Sequence, residues 1–162
     1  MAESVMKSLA ARHNLTDWHV DSAALREWNV GRRPEDRALA VLAENGLTSD
    51  HIGRLICSDD FRQFDYVFGM DESNVADLLH LAPVDGRARI ELLGNYRGRE
   101  LDRIIIDPYF VSNMGKEKHD EAENYYCVLF YQEHGIHGFR RCYDQIVSCC
   151  ENFVKTHGRP VP

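Results

Sequence analysis

The sequence has 162 residues, which is enough for one domain with a hydrophobic core and too few for two such domains. Its net charge of −7, with acidic and basic residues interspersed, argues against a nucleic-acid-binding protein. No segment approaches the roughly 20 consecutive apolar residues of a membrane-spanning helix, so no membrane partner is expected.

The N-terminal half shows helical periodicity at its start. Val5, Met6 and Leu9 recur at helical spacing, with charged residues on the opposite face. Further along, Pro34 suits the first position of a helix and Gly46 suits its end. The predicted elements, in order, are a helix over 2–12, a short strand over 17–24, a loop that carries Trp28, and a helix from Pro34 to Gly46.

The C-terminal half alternates apolar runs with helical patterns. Asp71 lies where an acidic residue stabilises a helix N-terminus. The predicted elements are a buried strand over 64–69, a helix over 70–81, extended runs over 87–94 and 102–107, and an amphipathic helix over 139–158. Alternation of this kind is typical of an α/β domain with a parallel sheet.

The segment 114–138 fits this alternation poorly. It begins polar and charged, becomes densely aromatic over 125–131, and ends in glycine and histidine residues. As a connection it is much longer than usual. We therefore expect a single domain over 1–162 with an atypical insertion at about 114–138.

The five cysteines predict reduced thiols and a cytoplasmic protein. No pair has the C-x2-C spacing of a zinc site. A cluster of His119, Cys127, His134 and His137 can be drawn, but its spacing matches no known metal site. Residues 1–14 lack the apolar segment and cleavage pattern of a signal peptide. We expect no metal and no cofactor.

Several stretches together resemble the low molecular weight protein tyrosine phosphatases. The most specific combination is FDYVFGMDESN followed at a distance by DPY. The other stretches are AESVMKSL, WHVDSAA, ENGLTSDHIGR, IELLG and CYDQIVSCCENF. The resemblance implies a small doubly wound sheet of four parallel strands with helices on both faces. It also implies phosphotyrosine hydrolysis through a cysteinyl-phosphate intermediate.

The resemblance further implies a phosphate-binding loop, C-x5-R-S, between the first strand and the first helix. In that loop backbone N–H groups hold the phosphate, the Cys thiolate attacks phosphorus, and the Arg binds two phosphate oxygens. No cysteine here is followed by Arg at the sixth position. The residues found there are Gln63, Glu133, Ser148, Lys155 and Thr156.

The family's first helix corresponds to residues 2–10, so we expect an N-terminally incomplete or variant member that lacks the first strand and the loop. Removal of that strand, which is central in the family sheet, would leave its neighbours each with an unpaired edge. Two events would explain these departures from the family. Met1 would be an internal start, which accounts for the missing first strand and loop. The segment 114–138 would be coding sequence that was retained or alternatively processed.

Five residues match functional positions of the family. Asp107 matches the general acid that protonates the leaving phenol, although an Asp-Pro turn at a strand end is the alternative. Trp28 and Tyr109 match the aromatic walls of the substrate cleft, with half-buried aromatic packing as the alternative. Ser22 and His51 match residues that support the phosphate loop, and without the loop we expect surface or locally bonded polar groups.

Three functions remain open from the sequence. The first is a phosphatase by family, inactive as written, whose substrate would be a phosphotyrosine protein or a small aryl phosphate. The second is a non-catalytic pseudophosphatase that binds or regulates, and the third is a non-functional product.

The cysteines of the last helix, Cys142, Cys149 and Cys150, are expected to pack in the core rather than to react. The oligomeric state is left open.

Overall fold

The structure is a computed structural model that describes residues 1–109 and 135–158, in which helices pack on a small parallel sheet. The helices are α1 (Ala2–Arg12), α2 (Asp36–Glu44), α3 (Ser58–Gln63), α4 (Glu72–Leu81) and α5 (Ile136–His157), and the strands are β1 (Tyr66–Gly69) and β2 (Arg89–Leu92). Short 3-10 turns cover Glu27–Asn29 and Leu93–Tyr96. No helix in these two ranges is long and apolar enough to cross a bilayer.

The sheet pairs β1 with β2 in parallel, from Tyr66 opposite Arg89 to Gly69 opposite Leu92. Helix α4 connects the two strands, because parallel strands need a crossover of this kind. The prediction of an α/β domain with a parallel sheet is confirmed.

Helices cover both faces of the sheet. On one face, Tyr66 and Phe68 of β1 contact the ring of Phe153 in α5, with ring centroids 5.0 and 5.1 Å away. On the other face, a side chain at Gly69 would collide with Val75 of α4. Successive side chains of a strand point to opposite faces, which explains why β1 contacts a different helix on each side.

The hydrophobic core lies mainly between α1, α2 and α5. Each of these helices has a stripe of apolar residues at helical spacing, and the three stripes face one another. The fully or nearly buried residues of the three helices are Val5, Met6, Leu9, Ala10, Ala38, Val41, Leu42, Phe139, Cys142, Tyr143, Ile146, Cys149, Cys150, Phe153 and Val154. The prediction that the thiols of α5 pack in the core is confirmed.

Side-chain caps set where α2 and α4 begin. The Asp71 carboxylate accepts a hydrogen bond from the Asn74 N–H at 2.7 Å, as expected of a residue that opens a helix. Glu35 does the same for α2, accepting from the N–H groups of Arg37 and Ala38. Pro34 therefore lies just before the cap rather than at the first helical position.

Two predicted extended segments do not form strands. Within 17–24 only Ala24 makes a bridge, to Leu55. Among the described residues, the Ile105 N–H alone links the backbone of 102–107 to the sheet, by a hydrogen bond to the Met70 carbonyl just after β1. The side-chain amide of Gln145 in α5 donates hydrogen bonds to the carbonyls of residues 102 and 104. These bonds take the place of the strand pairing that the prediction assumed.

The described residues contain two strands, fewer than the resemblance implies. The Asp65 carbonyl accepts from the Arg89 N–H, so residues 65, 67 and 69 direct their backbone groups at β2. Tyr66 and Phe68 direct theirs to the opposite side, where no strand among residues 1–109 and 135–158 pairs with them. The expected open edge on β1 is therefore present in this part of the chain.

Candidate functional site

The predicted residues Ser22 and His51 meet at a carboxylate that sequence reasoning missed. Glu3, in the first turn of α1, accepts a hydrogen bond from the Ser22 hydroxyl at 2.5 Å. The same carboxylate oxygen lies 3.0 Å from Nδ1 of His51. The Ser22 oxygen is itself 3.5 Å from that Nδ1. The three side chains form a polar cluster beside the N-terminus of α1.

This cluster is more enclosed than the sequence suggested. The Glu3 side chain is 9% exposed and the His51 side chain 20% exposed. Lys7, one turn along α1, donates to the second Glu3 oxygen at 2.5 Å, and this hydrogen bond raises the Lys7 pKa. The expectation that Ser22 and His51 become surface or locally bonded groups holds only in part. Both side chains are partly exposed and lie against each other, but Glu3, which is distant in sequence, also joins them. The sequence signal for this contact was the position of Glu3, the acidic residue in the first turn of α1.

A second set of contacts fixes the segments that carry Ser22 and His51. The Arg54 guanidinium binds both carboxylate oxygens of Asp60, each at 2.9 Å, and one oxygen of Asp21. Burial alone would raise the pKa of each acid. Hydrogen bonds from Arg54 and from nearby backbone N–H groups outweigh it and hold both pKa values below the usual range. The arginine thus ties residue 21 to the loop before α3.

The same region supplies the ligand types that a metal ion would need. One atom each of Glu3, Asp21 and His51 lies within 4.8 Å of the others. Both carboxylates are already paired with cations, Glu3 with Lys7 and Asp21 with Arg54. These two positive side chains oppose the approach of a further cation. The donor set therefore fits a structural network better than a metal site.

Asp107 is exposed and lies directly before Pro108 and Tyr109, which have helical backbone. One of its carboxylate oxygens accepts the Tyr109 N–H at 2.8 Å, across Pro108. This hydrogen bond is the Asx turn that the alternative interpretation anticipated. The other carboxylate oxygen takes no part in that turn. The geometry is thus compatible with a proton donor whose orientation is fixed by its own turn.

The predicted aromatic walls stand on two separate loops. Trp28 is 62% exposed in the turn Glu27–Asn29, and Tyr109 is 47% exposed after Asp107. The Trp28 loop is held by two backbone hydrogen bonds, from Gly31 N–H to the Gly53 carbonyl and from Gly53 N–H to the Arg32 carbonyl. Such exposure excludes half-buried packing as the role of Trp28. Phe110, which follows Tyr109, lies outside the described residues.

The thiols of α5 cannot act as nucleophiles in this arrangement. Burial raises the pKa of Cys142 and Cys149 to about 11 and that of Cys150 to about 12. They are therefore neutral near pH 7, whereas a thiolate is the reactive form. Cys57 is exposed at the N-terminus of α3, and Cys127 lies outside the described residues.

Comparisons with known proteins agree with the fold and the motifs. The family model for low molecular weight phosphotyrosine protein phosphatases matches residues 1–160. Low molecular weight phosphotyrosine protein phosphatase 1 of Drosophila melanogaster is 37% identical over 96% of this chain and 86% of its own length. The Sus scrofa low molecular weight phosphotyrosine protein phosphatase is 40% identical over 96% of this chain and 85% of its own length.

Among solved structures, the crystal structure of DARP, drosophila arginine phosphatase, superposes with a TM-score of 0.78. It is 39% identical, and the match covers 99% of this chain and 90% of that one. Fold, motifs and sequence identity agree over nearly the whole chain. The chain therefore belongs to the low molecular weight phosphotyrosine protein phosphatase family.

Proposed function

We propose that residues 1–162 carry the leaving-group acid and the substrate walls of a phosphotyrosine phosphatase site, and that they do not hydrolyse phosphate esters by themselves. One observation carries this proposal: no cysteine among the 162 residues is followed by Arg at the sixth position. Phosphoryl transfer by this family's chemistry needs a thiolate to attack phosphorus and a guanidinium to hold the equatorial oxygens.

Asp107 is assigned the proton transfer to the leaving phenol. The hydrogen bond from Tyr109 N–H orients one carboxylate oxygen and leaves the other outside the turn, where a phenolic oxygen would need it. Trp28 and Tyr109, both largely exposed, are assigned to the two sides of the substrate ring.

The cluster of Glu3, Ser22 and His51 is assigned to supporting a phosphate-binding loop. Ser22 and His51 supply the hydrogen-bonding atoms, and Glu3 fixes both of them from α1. This part of the chain would therefore position a loop without containing the nucleophile. We also propose a single domain over 1–162, no cofactor, and a cytoplasmic location, which the free thiols of Cys57, Cys142, Cys149 and Cys150 support.

The decisive test is hydrolysis of p-nitrophenyl phosphate by the purified chain of residues 1–162. We expect a rate equal to that of the Asp107→Ala variant and insensitive to vanadate. A vanadate-sensitive rate above that control would show a working nucleophile and end the proposal. Phosphoarginine is assayed in parallel, because the structurally similar DARP is named an arginine phosphatase.

The second candidate is a non-catalytic pseudophosphatase that binds without turnover. The exposure of Trp28, at 62%, favours it, because a tryptophan this exposed offers a contact surface that needs no nucleophile. Without loop amides and the arginine, inorganic phosphate itself should bind very weakly. Calorimetric titration with phosphate tests this, and tight binding would contradict the absence of an anion site.

A further inference from the structure

The loop that carries Trp28 forms an exposed surface of mixed apolar and basic character. This surface consists of Trp28, Val30, Arg32 and Arg33 from the loop and of Ile52 from the segment next to Gly53. We call it the Trp–Arg surface. The three apolar side chains are 62%, 44% and 52% exposed. Large apolar side chains that cluster in solvent commonly mark a binding site.

Two backbone hydrogen bonds make this surface rigid. Gly31 N–H donates to the Gly53 carbonyl at 2.8 Å, and Gly53 N–H donates to the Arg32 carbonyl at 2.9 Å. The backbones are so close that a Cβ at Gly53 would lie 2.2 Å from the Asn29 carbonyl oxygen. The backbone of residues 31–32 is therefore held against that of Gly53 before any ligand arrives, which lowers the entropic cost of binding.

The two arginines of the surface differ from the arginines around them. Arg26 pairs with Asp77 at 2.6 Å, Arg37 with Glu35 at 2.6 Å, and Arg54 with Asp21 and Asp60. Arg32 and Arg33 have no ion pair with any residue of the described ranges. Two adjacent cations with no acidic partner among residues 1–109 and 135–158 are therefore available to an acidic ligand.

We propose that the Trp–Arg surface binds acidic peptide segments. Trp28 contacts an aromatic or apolar side chain of the peptide, and Arg32 and Arg33 bind carboxylates that flank it. This inference deepens the proposed function and rests on it, because it defines the charge of the peptide that the aromatic walls receive. Arginine forks match carboxylate geometry, and tryptophan supplies contact area at small entropic cost.

Other anionic partners fit the surface less well. A nucleic acid would extend its charge beyond two arginines and meet Glu27 and Asp36 on either side of them. Anionic membranes are usually bound by clusters of about 4–8 basic residues, more than this surface presents. A short acidic peptide needs only the two arginines and the apolar contact.

The test uses residues 1–162 and a fluorescein-labelled peptide with one unphosphorylated tyrosine between glutamates. Fluorescence anisotropy measures its affinity, with the same peptide carrying glutamine for glutamate as the comparison. We expect the acidic peptide to bind more tightly, with an affinity that falls as salt is added. The binding assay does not involve hydrolysis. If the peptide does not bind, the proposal that the chain lacks turnover is unaffected. If the chain proves to hydrolyse phosphate esters, the proposal that this surface binds acidic peptides is unaffected.

Matched variants separate the surface from net charge. Arg32→Glu and Arg33→Glu should each weaken binding by about fivefold, because each reverses an exposed charge in the interface. Arg99→Glu makes the same charge change at another exposed arginine and should leave the affinity unchanged. Trp28→Leu should weaken binding and Glu27→Gln should strengthen it. Thermal unfolding of each variant verifies that it is folded.

Four outcomes would overturn the proposal. They are no binding by the unmodified chain, equal binding of the glutamine peptide, equal weakening by Arg99→Glu, and preferential binding of single-stranded RNA or phosphatidylserine vesicles through Arg32 and Arg33.

Discussion

Nδ1 of His51 lies 3.0 Å from the same Glu3 oxygen that accepts the Ser22 hydroxyl. Three segments distant in sequence thus converge on one carboxylate that is almost inaccessible to solvent. A largely enclosed acceptor of this kind stabilises a fold only while its donors are present, because an unmatched polar group that is shielded from solvent is costly.

The first prediction concerns the charge of Glu3. Replacement by Gln keeps the shape but weakens the three interactions, with Lys7, Ser22 and His51, so we expect the free energy of unfolding to fall by about 2 kcal/mol. Urea unfolding followed by circular dichroism measures this. Lys7→Ala, which removes a half-exposed partner of the same carboxylate, should have a much smaller effect. Equal losses in the two variants would show that the Lys7–Glu3 pair, and not the cluster with Ser22 and His51, stabilises α1.

The second prediction concerns acid stability. The folded-state pKa values of Asp21 and Asp60 are depressed, so their contribution is complete above the unfolded pKa of about 4 and is lost as the pH falls through the folded pKa. Removal of the guanidinium in Arg54→Met should therefore lower stability by about 2 kcal/mol at neutral pH, a figure that allows for solvent screening. It should also flatten the pH dependence below about pH 4.

Arg62→Met is the matched control for Arg54. Arg62 also bridges two acids, Asp59 and Asp85, but all three side chains are substantially exposed. Its removal should not change the unfolding midpoint measurably at any pH. A pH profile for Arg54→Met that runs parallel to that of the unmodified chain would contradict the linkage.

Helices α1, α2, α4 and α5 and strand β1 could be predicted from the sequence because each has a dense apolar pattern. Val5 and Leu9 mark the buried face of α1, and the spacing of Cys142, Ile146 and Phe153 marks that of α5. The segments 17–24 and 102–107 could not be assigned correctly in the same way. Strand formation depends on a partner backbone. The segment 17–24 has such a partner only at Ala24, and the Gln145 side chain binds two carbonyls of 102–107.

Helix α3 was missed for a related reason. It has six residues, too few for a visible apolar period, and it depends on a local cap in which the Asp60 carboxylate accepts the Cys57 N–H at 2.8 Å. The site shows the same limit. Ser22 and His51 were identified by resemblance, but their junction at Glu3 is a tertiary contact that leaves no pattern along the chain.

The third prediction concerns the aromatic packing under the sheet. Phe153 is 5% exposed and contacts the rings of Trp18, Tyr66, Phe68, Tyr96 and His157. Phe153→Ala should lower the free energy of unfolding by about 3–5 kcal/mol, through lost burial and a remaining cavity. Phe153→Leu should cost less, and Leu79→Ala, at a 60% exposed position, should cost little. An Ala variant as stable as the Leu variant would mean that the neighbouring rings collapse into the gap.

The last prediction separates the two interpretations of Asp107, as proton donor or as turn residue. A segment with the first strand and the C-x5-R-S loop that the resemblance implies for the family is joined ahead of residue 1. If this chimera hydrolyses aryl phosphates, Asp107→Asn should lower kcat by about 10²–10⁴-fold for esters of weakly acidic phenols, because these need protonation on leaving. The reduction should be smaller for p-nitrophenyl phosphate, whose leaving group is stable as an anion.

Two features of the design control for structural effects. The Asn side chain at 107 still accepts the Tyr109 N–H and so retains the turn. Asp102→Asn removes an exposed acid nearby and should leave kcat unchanged. If Asp107→Asn leaves the kcat of the chimera unchanged with both kinds of ester, Asp107 is not the proton donor and acts only as a turn residue.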